Sequence, residues 1–235
     1  MGDRFRELKP RSSSVEVARF LQHAESLPLV PASRRGRLIF ALDATASREP
    51  TWDRASHLQS KMFANTKALG NLSVQLCYYQ GFRQFTASDW VDGPQQLLGK
   101  MERVRCLAGQ TQIARVLQHG IDESRRHPVQ GLVFIGDCVE EPIDLLCDLA
   151  GQLKLCGTPV FIFHEGGEHA AAQCLKQIAR VSGGVYVPFN SSGAAVLSAL
   201  LSAAAAFSLG GVEAVEKLPA SQMIYLEQLK QQLRS

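Results

Sequence analysis

The chain has 235 residues, of which 46% are hydrophobic and 20% are charged, and its formal net charge is +3. The composition predicts an ordinary soluble globular protein. The length is compatible with one large α/β domain plus terminal extensions or with two small domains, and no second core is evident in the sequence. The net charge is small and the basic residues are scattered along the chain, so the sequence gives no indication of the concentrated basic surface that nucleic-acid binding requires. We therefore expect no nucleic-acid partner.

The six cysteines all lie in apolar segments, and no two of them have Cys-x2-Cys spacing. This pattern predicts buried, reduced thiols rather than a zinc or redox site. Reduced thiols are typical of a reducing compartment, and residues 1–10 lack the apolar core of a secretory signal. We therefore expect a cytoplasmic protein. The cysteines are Cys77, Cys106, Cys138, Cys147, Cys156 and Cys174.

Residues 1–35 are predicted to be an N-terminal extension that contains one short helix. Apolar residues recur at helical spacing between residues 15 and 27, and Pro28 and Pro31 would end the helix. The uncharged run Leu38–Leu42 then leads to Asp43. Such a run, bounded by polar residues, predicts a fully buried central strand of a parallel sheet.

After this strand, helical and strand patterns alternate along the chain. The alternation predicts βαβ crossovers and a doubly wound, mainly parallel sheet with helices on both faces. A hairpin signal at Gln80-Gly81 predicts one antiparallel edge strand. Strands are predicted at 72–79, 82–85, 129–136, 159–163 and 185–189, and helices at 50–70, 95–104, 111–124, 142–155 and 169–181.

Residues 193–211 contain no charged residue, which raises the question of a membrane span. Alanine and serine dominate the segment, whereas a spanning helix needs about 20 strongly apolar residues. The composition favours a buried closing helix. An amphipathic C-terminal helix is predicted within residues 211–235, where leucines recur at helical spacing.

Oxygen-bearing side chains follow the first buried strand at alternate positions, as Asp43, Thr45 and Ser47. Open α/β sheets bind ligands outside the carboxyl ends of their strands. One carboxylate and two hydroxyls suit a hard cation such as Mg²⁺. Thr111, in a loop before a predicted helix, and Asp137, at the end of the second buried strand, add two further oxygen ligands.

These three segments, in this order, resemble a von Willebrand factor type A domain with a metal-ion-dependent adhesion site, of the bacterial-like intracellular type. The family's Asp-x-Ser-x-Ser loop matches Asp43, Thr45 and Ser47, its single threonine matches Thr111, and its following aspartate matches Asp137. The resemblance covers residues 36–210 and implies a six-stranded sheet with one antiparallel edge strand. Thr45 replaces the commoner serine, and residue 138 is a cysteine where the family usually has glycine.

The resemblance implies a site for Mg²⁺ or Mn²⁺ whose open position accepts an Asp or Glu side chain of a partner protein. We therefore expect a binding module and not an enzyme. Two alternatives remain open: a hydrolase that uses the same cation, and a scaffold subunit of an ATPase or chaperone assembly that docks through its terminal helices. Glu140 and Glu141 are expected at an acidic rim or in the first turn of a helix.

The predicted position of Asp43 also determines what its replacement should do. We expect this aspartate to lie in a loop, where it contributes charge and no core volume. Replacing Asp43 by alanine would then abolish divalent-cation binding and leave the fold intact.

Overall fold

The computed structural model describes residues 36–49, 72–92 and 94–189. The predicted N-terminal helix, the predicted helix after Pro50, the segment 193–211 and the C-terminal tail lie outside the described residues. The bounds 1–35, 36–210 and 211–235 therefore stay predictions. Within the described part of the chain, no helix combines the length and apolar character needed to cross a membrane.

The described residues form six strands, four α-helices and one short 3-10 helix at Ala46–Arg48. The strands are β1 (Gly36–Asp43), β2 (Leu72–Gln80), β3 (Gln84–Ala87), β4 (Gly131–Gly136), β5 (Val160–Glu165) and β6 (Tyr186–Phe189). The helices are α1 (Pro94–Met101), α2 (Ile113–Arg126), α3 (Ile143–Leu155) and α4 (His169–Ser182).

The strands form one sheet in the order β3-β2-β1-β4-β5-β6. All neighbouring pairs are parallel except β2 and β3, which are antiparallel at the edge. This confirms the predicted mostly parallel, doubly wound sheet. Because the chain moves from β1 to β2 and β3 on one side and later to β4 on the other, β1 and β4 flank the point where the strand order reverses. That crevice is where such sheets bind ligands.

Both faces of the central strand are covered. Ile39 and Ala41 belong to a core cluster that includes residues of α2, α3 and α4, and the alternate residues Leu38 and Phe40 are also fully buried. A strand buried on both faces explains why β1 is a continuous apolar run rather than an alternating one. The sheet therefore fixes the position of Asp43, which immediately follows that run, in a closely packed surrounding.

The edge strand β3 begins at Gln84, two residues later than predicted. The reason is a three-residue turn in which Gly81 and Arg83 both have positive φ, at 55° and 57°. Glycine adopts this conformation freely, but an arginine there is uncommon and gives no signal in the sequence. The helix α1 also ends earlier than predicted, at Met101, and the chain continues in turns to Val104.

All six cysteines are free, in agreement with the predicted reduced thiols. The prediction that they are buried is correct only for Cys77, because the other five are half-buried. Apolar neighbours in sequence indicate proximity to the core but do not fix which way a side chain on a helix or loop is turned.

His119 on α2 provides a pH-dependent contribution to stability. Its Nε2 lies 2.8 Å from Gln75 Oε1 and its ring packs against Phe85. Burial lowers the pKa of His119, although Glu123 and Asp122 act in the opposite direction. The unfolded chain therefore takes up the proton more readily, so this contribution is present above the ordinary histidine pKa of about 6.5 and is lost as the pH falls through the folded-state pKa.

We expect His119→Gln to make the loss of stability between about pH 7.5 and pH 5 smaller than in the wild type, because glutamine can still donate to Gln75 but does not titrate. Urea unfolding at a series of pH values measures this. An unchanged pH dependence in the variant would show that His119 does not contribute.

Candidate metal centre

Asp43 is the last residue of β1, and its side chain is fully buried. Its Oδ2 accepts a hydrogen bond of 2.9 Å from the hydroxyl of Tyr79, and its Oδ1 accepts one of 2.8 Å from the backbone N–H of Thr45. The expectation that Asp43 lies in a loop is therefore wrong. Replacement by alanine would leave the buried Tyr79 hydroxyl without this acceptor and would cost stability as well as charge.

Thr45 and Ser47 lie in the turn that follows β1. Their hydroxyl oxygens are 3.1 Å apart, with Thr45 buried and Ser47 exposed. The next residue, Arg48, is buried and forms an ion pair of 2.8 Å with Glu165 at the end of β5. This ion pair ties the turn to a distant strand, so the two hydroxyls are held near Asp43 by more than local backbone preference.

Asp137 directly follows β4, the strand beside β1. Leu42 pairs with Ile135, and a Cβ built on Gly136 would lie 3.5 Å from Asp43 Cβ. The side-chain Oδ1 of Asp137 is buried and accepts no hydrogen bond from the described residues. Burying a carboxylate oxygen without a hydrogen-bond donor or a positive charge beside it lowers the stability of the folded protein.

The backbone of Asp137 is fixed by a histidine that the sequence reasoning did not assign to the site. His164 Nε2 lies 3.1 Å from the carbonyl oxygen of Asp137, and its Nδ1 lies 2.8 Å from the Tyr186 hydroxyl. A carbonyl only accepts, so Nε2 carries the proton and Nδ1 accepts from Tyr186. Burial lowers the pKa of His164, which favours this neutral form.

The electrostatics of the two aspartates agree with their geometry. Burial raises the pKa of Asp43 above its ordinary value, hydrogen bonds from Thr45 and Tyr79 oppose the rise, and the Asp137 carboxylate adds to it. The pKa of Tyr79 is also raised, first by burial and then by Asp43. The two carboxylates repel each other at this buried end of β1, and a bound cation would relieve that repulsion.

The loop that carries Thr111 is packed against the end of β2 and the turn after β1. A Cβ on Gly109 would lie 1.9 Å from the carbonyl oxygen of Gly81, so only glycine permits this approach. Leu107 donates its N–H to the carbonyl of Ala44 at 3.0 Å. The loop before α2 therefore lies beside the turn that contains Thr45.

Thr111 is held by two glutamates from the loop after β4. Its N–H donates to Glu140 Oε2 at 2.8 Å, and its hydroxyl donates to Glu141 Oε2 at 2.9 Å. The hydroxyl also accepts from the backbone N–H of Glu140 at 3.0 Å. Thr111 is thus joined to the loop that begins with Asp137, which brings the third predicted segment to the same end of the sheet.

Of the two positions expected for Glu140 and Glu141, an acidic rim or the first turn of a helix, the second is wrong. Both precede α3, which begins at Ile143, so they are not in its first turn. Glu141 also accepts the N–H groups of Ile113 and Ala114, at 3.0 and 2.8 Å. These contacts span 27 and 28 residues, and local sequence patterns carry no signal for them.

The structure therefore gathers all five predicted residues at one end of the sheet. Asp43, Thr45 and Ser47 form one hydrogen-bonded group, and Asp137 lies beside it. Thr111 is bonded to the loop that begins with Asp137, and its own loop is bonded through Leu107 to the turn after β1. Within the described ranges, no three His, Cys, Asp or Glu side chains form a metal-binding group. The oxygen donors instead combine carboxylates and hydroxyls, a set that fits a hard divalent cation.

No protein-family model matches the sequence, and no curated protein matches it either. Solved structures do match. The VWA domain of SpRpn10 has a TM-score of 0.55 and 13% sequence identity, and the match covers 74% of this chain and 95% of that domain. An aerotolerance-related membrane protein from Bacteroides fragilis has a TM-score of 0.54 and 14% identity, covering 71% of this chain and 98% of that one.

A third similar structure is proximal thread matrix protein 1 from the mussel byssus, solved with a zinc-occupied MIDAS motif. Its TM-score is 0.57 at 15% identity, and the match covers 73% of this chain and 48% of that chain. Sequence identities this low demonstrate a common fold and carry no residue roles. Together with the sheet order and the antiparallel edge strand, these matches show that this protein has the fold of a von Willebrand factor type A domain.

Proposed function

We propose that the protein is a metal-dependent protein-binding module rather than an enzyme. In this proposal Asp43, Thr45, Ser47, Thr111 and Asp137 hold one divalent cation, Mg²⁺ or Mn²⁺, and an Asp or Glu side chain of a partner protein completes its coordination. The bound cation would supply positive charge and an open coordination position at the end of the sheet.

The observation that best supports the proposal is the pair of carboxylates at the ends of β1 and β4, where Asp43 is fully buried and Asp137 is half-buried with its Oδ1 buried. Both carboxylate oxygens of Asp43 accept hydrogen bonds, from the Thr45 N–H and the Tyr79 hydroxyl. Asp137 Oδ1, in contrast, is buried without a hydrogen bond from the described residues, beside a second negative charge. A divalent cation between them would satisfy that oxygen and offset both charges.

The five residues would provide two kinds of ligand, charged and neutral. Asp43 and Asp137 contribute negative charge, directly or through water, while Thr45, Ser47 and Thr111 contribute neutral oxygens. Because the two aspartates already balance the divalent charge, an incoming third carboxylate would be held by direct coordination at the open position and not by a net positive charge. Part of the metal–carboxylate attraction is cancelled by desolvation of both groups, so the gain from the contact is modest.

The surface around the site also favours a protein partner. Phe82 is 72% exposed and Leu107 is 42% exposed, and both belong to the loops beside the turn after β1. The N–H of Gly81 lies 3.4 Å from the carbonyl oxygen of Leu107, so the two loops are joined. Exposed large apolar side chains next to a charged site are common in protein interfaces.

Catalysis has less support. A metal-dependent hydrolase would need a free general base beside the cation. His164 contacts Asp137, but both of its ring nitrogens are engaged, by the Asp137 carbonyl and the Tyr186 hydroxyl. We further propose a cytoplasmic location, supported by six free thiols, and a partner that is a protein and not a nucleic acid.

We expect partner binding to require both the cation and the Thr111 hydroxyl. With the wild-type protein as bait, a partner should be retained from native lysate in Mg²⁺ and released by a chelator. Thr111→Val should weaken its retention about tenfold, as loss of one metal-ordering group does. Thr86→Val, at an exposed position on β3, is the matched control and should behave as wild type.

Equal retention of the partner in Mg²⁺, in chelator and by the Thr111 variant would contradict this function. It would instead favour a scaffold role in which the partner docks on another surface, such as the predicted terminal helices.

A further inference from the structure

The hydroxyl of Thr111 has a fixed hydrogen-bonding state. A hydroxyl has one proton to donate and two lone pairs to accept with. Here the proton goes to Glu141 Oε2 at 2.9 Å, and one lone pair accepts from the N–H of Glu140 at 3.0 Å. One lone pair therefore remains for a cation.

The Glu141 carboxylate is held in this position, because moving it would break its hydrogen bonds. It accepts three hydrogen bonds, from the Thr111 hydroxyl and from the N–H groups of Ile113 and Ala114. The last two are among the first N–H groups of α2, which have no acceptor inside the helix. The negative charge is further favoured at the helix amino end.

The local sequence explains why Glu141 faces α2 and does not belong to α3. Pro142 follows it, and the helical conformation is disfavoured for a residue before proline. Pro142 itself adopts φ −59° and ψ 125°, and α3 begins only at Ile143. The side chain of Glu141 thus stays outside the helix, where it reaches Thr111.

We infer that Glu141 is a positioning residue for the metal centre, which acts through the Thr111 hydroxyl and does not contact the cation. It accepts the hydroxyl proton and so keeps a lone pair of Thr111 Oγ1 available as a ligand. Without Glu141 the hydroxyl can rotate, and its proton can point at the site. This inference rests on the proposed function, since it assigns a role to Glu141 only if Thr111 is a ligand.

Glu140 provides a matched control. Its carboxylate also contacts Thr111, at the backbone N–H, and its removal changes the charge by the same amount. The contact of Glu140 with the Thr111 hydroxyl comes from its backbone, which any substitution retains. Only the Glu141 side chain receives the hydroxyl proton.

The test is a calorimetric titration of Mn²⁺ into the wild type and into Glu141→Ala and Glu140→Ala variants. We expect Glu141→Ala to weaken Mn²⁺ binding by about 10- to 100-fold, the range for loss of a group that orients a ligand. Glu140→Ala should weaken it by less than about fivefold, the ceiling for a single exposed charge. Thermal unfolding without metal confirms that each variant is folded.

A double-mutant cycle with Thr111→Val separates positioning from a merely structural or direct role. If Glu141 acts through the hydroxyl, Glu141→Ala should change the affinity of the Thr111→Val protein by no more than about fivefold, which is the effect of the lost charge alone. Equal losses in both backgrounds, or equal losses for Glu140→Ala and Glu141→Ala, would overturn the inference. If Glu141→Ala does not fold, Glu141→Gln, which keeps one acceptor for the amides of α2, enters the same cycle.

The wild-type titration distinguishes the two levels of the proposal. Saturable Mn²⁺ binding by the wild type with no special effect of Glu141 would overturn only the positioning role. A wild type that binds no Mn²⁺ would overturn the proposed function together with the inference that rests on it.

Discussion

Replacing Phe134 by alanine is expected to lower the free energy of unfolding by about 3–5 kcal/mol, the range observed for Phe→Ala in a packed core. Phe134 lies on β4 and is 1% exposed, and its ring packs against Tyr79 with 6.3 Å between the ring centroids. A domain of this kind has a total stability of about 5–15 kcal/mol, so the variant should lose a large share of it.

Urea unfolding followed by circular dichroism measures the effect of this substitution. Phe82→Ala is the control, since it makes the same change at a side chain that is 72% exposed and should shift stability by no more than about 0.5 kcal/mol. Similar losses in the two variants would mean that Phe134 is not in the core. The loss at Phe134 should also loosen Tyr79, whose hydroxyl holds Asp43.

Asp43→Asn is expected to weaken divalent-cation binding by about 100-fold, the upper end for loss of an ordering group near a metal. Asparagine has the size of aspartate and can still accept from the Thr45 N–H and donate to the Tyr79 hydroxyl oxygen. It therefore removes the charge with little change in packing, which alanine at this buried position would not do.

Titration calorimetry with Mg²⁺ and Mn²⁺ measures this loss. Asp89→Asn makes the same charge change at an exposed residue after β3 and should bind as the wild type does. Because β3 runs antiparallel to β2, Asp89 lies toward the end of the sheet opposite the site. Undiminished binding by Asp43→Asn would remove Asp43 from the site.

The sheet is the part of the structure that the sequence predicts best. Strands such as β1 and β4 are continuous apolar runs that end at an aspartate, so their type, burial and approximate ends follow from composition. The start of β3 was misplaced because Arg83 adopts a left-handed conformation, which is a property of the packed turn. Arg115 contributes to that packing by donating to the Arg83 carbonyl at 2.7 Å.

The candidate site also contains residues that the sequence predicts and residues that it does not. Five oxygen-bearing residues at strand and loop ends could be named from spacing, because the carboxyl ends of parallel strands meet at one edge of the sheet. The residues that hold them in place could not be named in this way. Tyr79 contacts Asp43 across 36 residues, and Glu141 contacts Thr111 across 30 residues. Such pairs depend on how the loops pack, and a single sequence does not encode them in any local pattern.

Anomalous diffraction from crystals grown with Mn²⁺ would test most directly that these five residues hold a cation. We predict one strong anomalous peak among Asp43, Thr45, Ser47, Thr111 and Asp137, at about 2.0–2.2 Å from coordinating hydroxyl oxygens. The peak should be absent from crystals of Asp43→Asn grown in the same way. A wild-type crystal with no peak there, or with its only peak at other residues, would contradict the assignment of the metal centre.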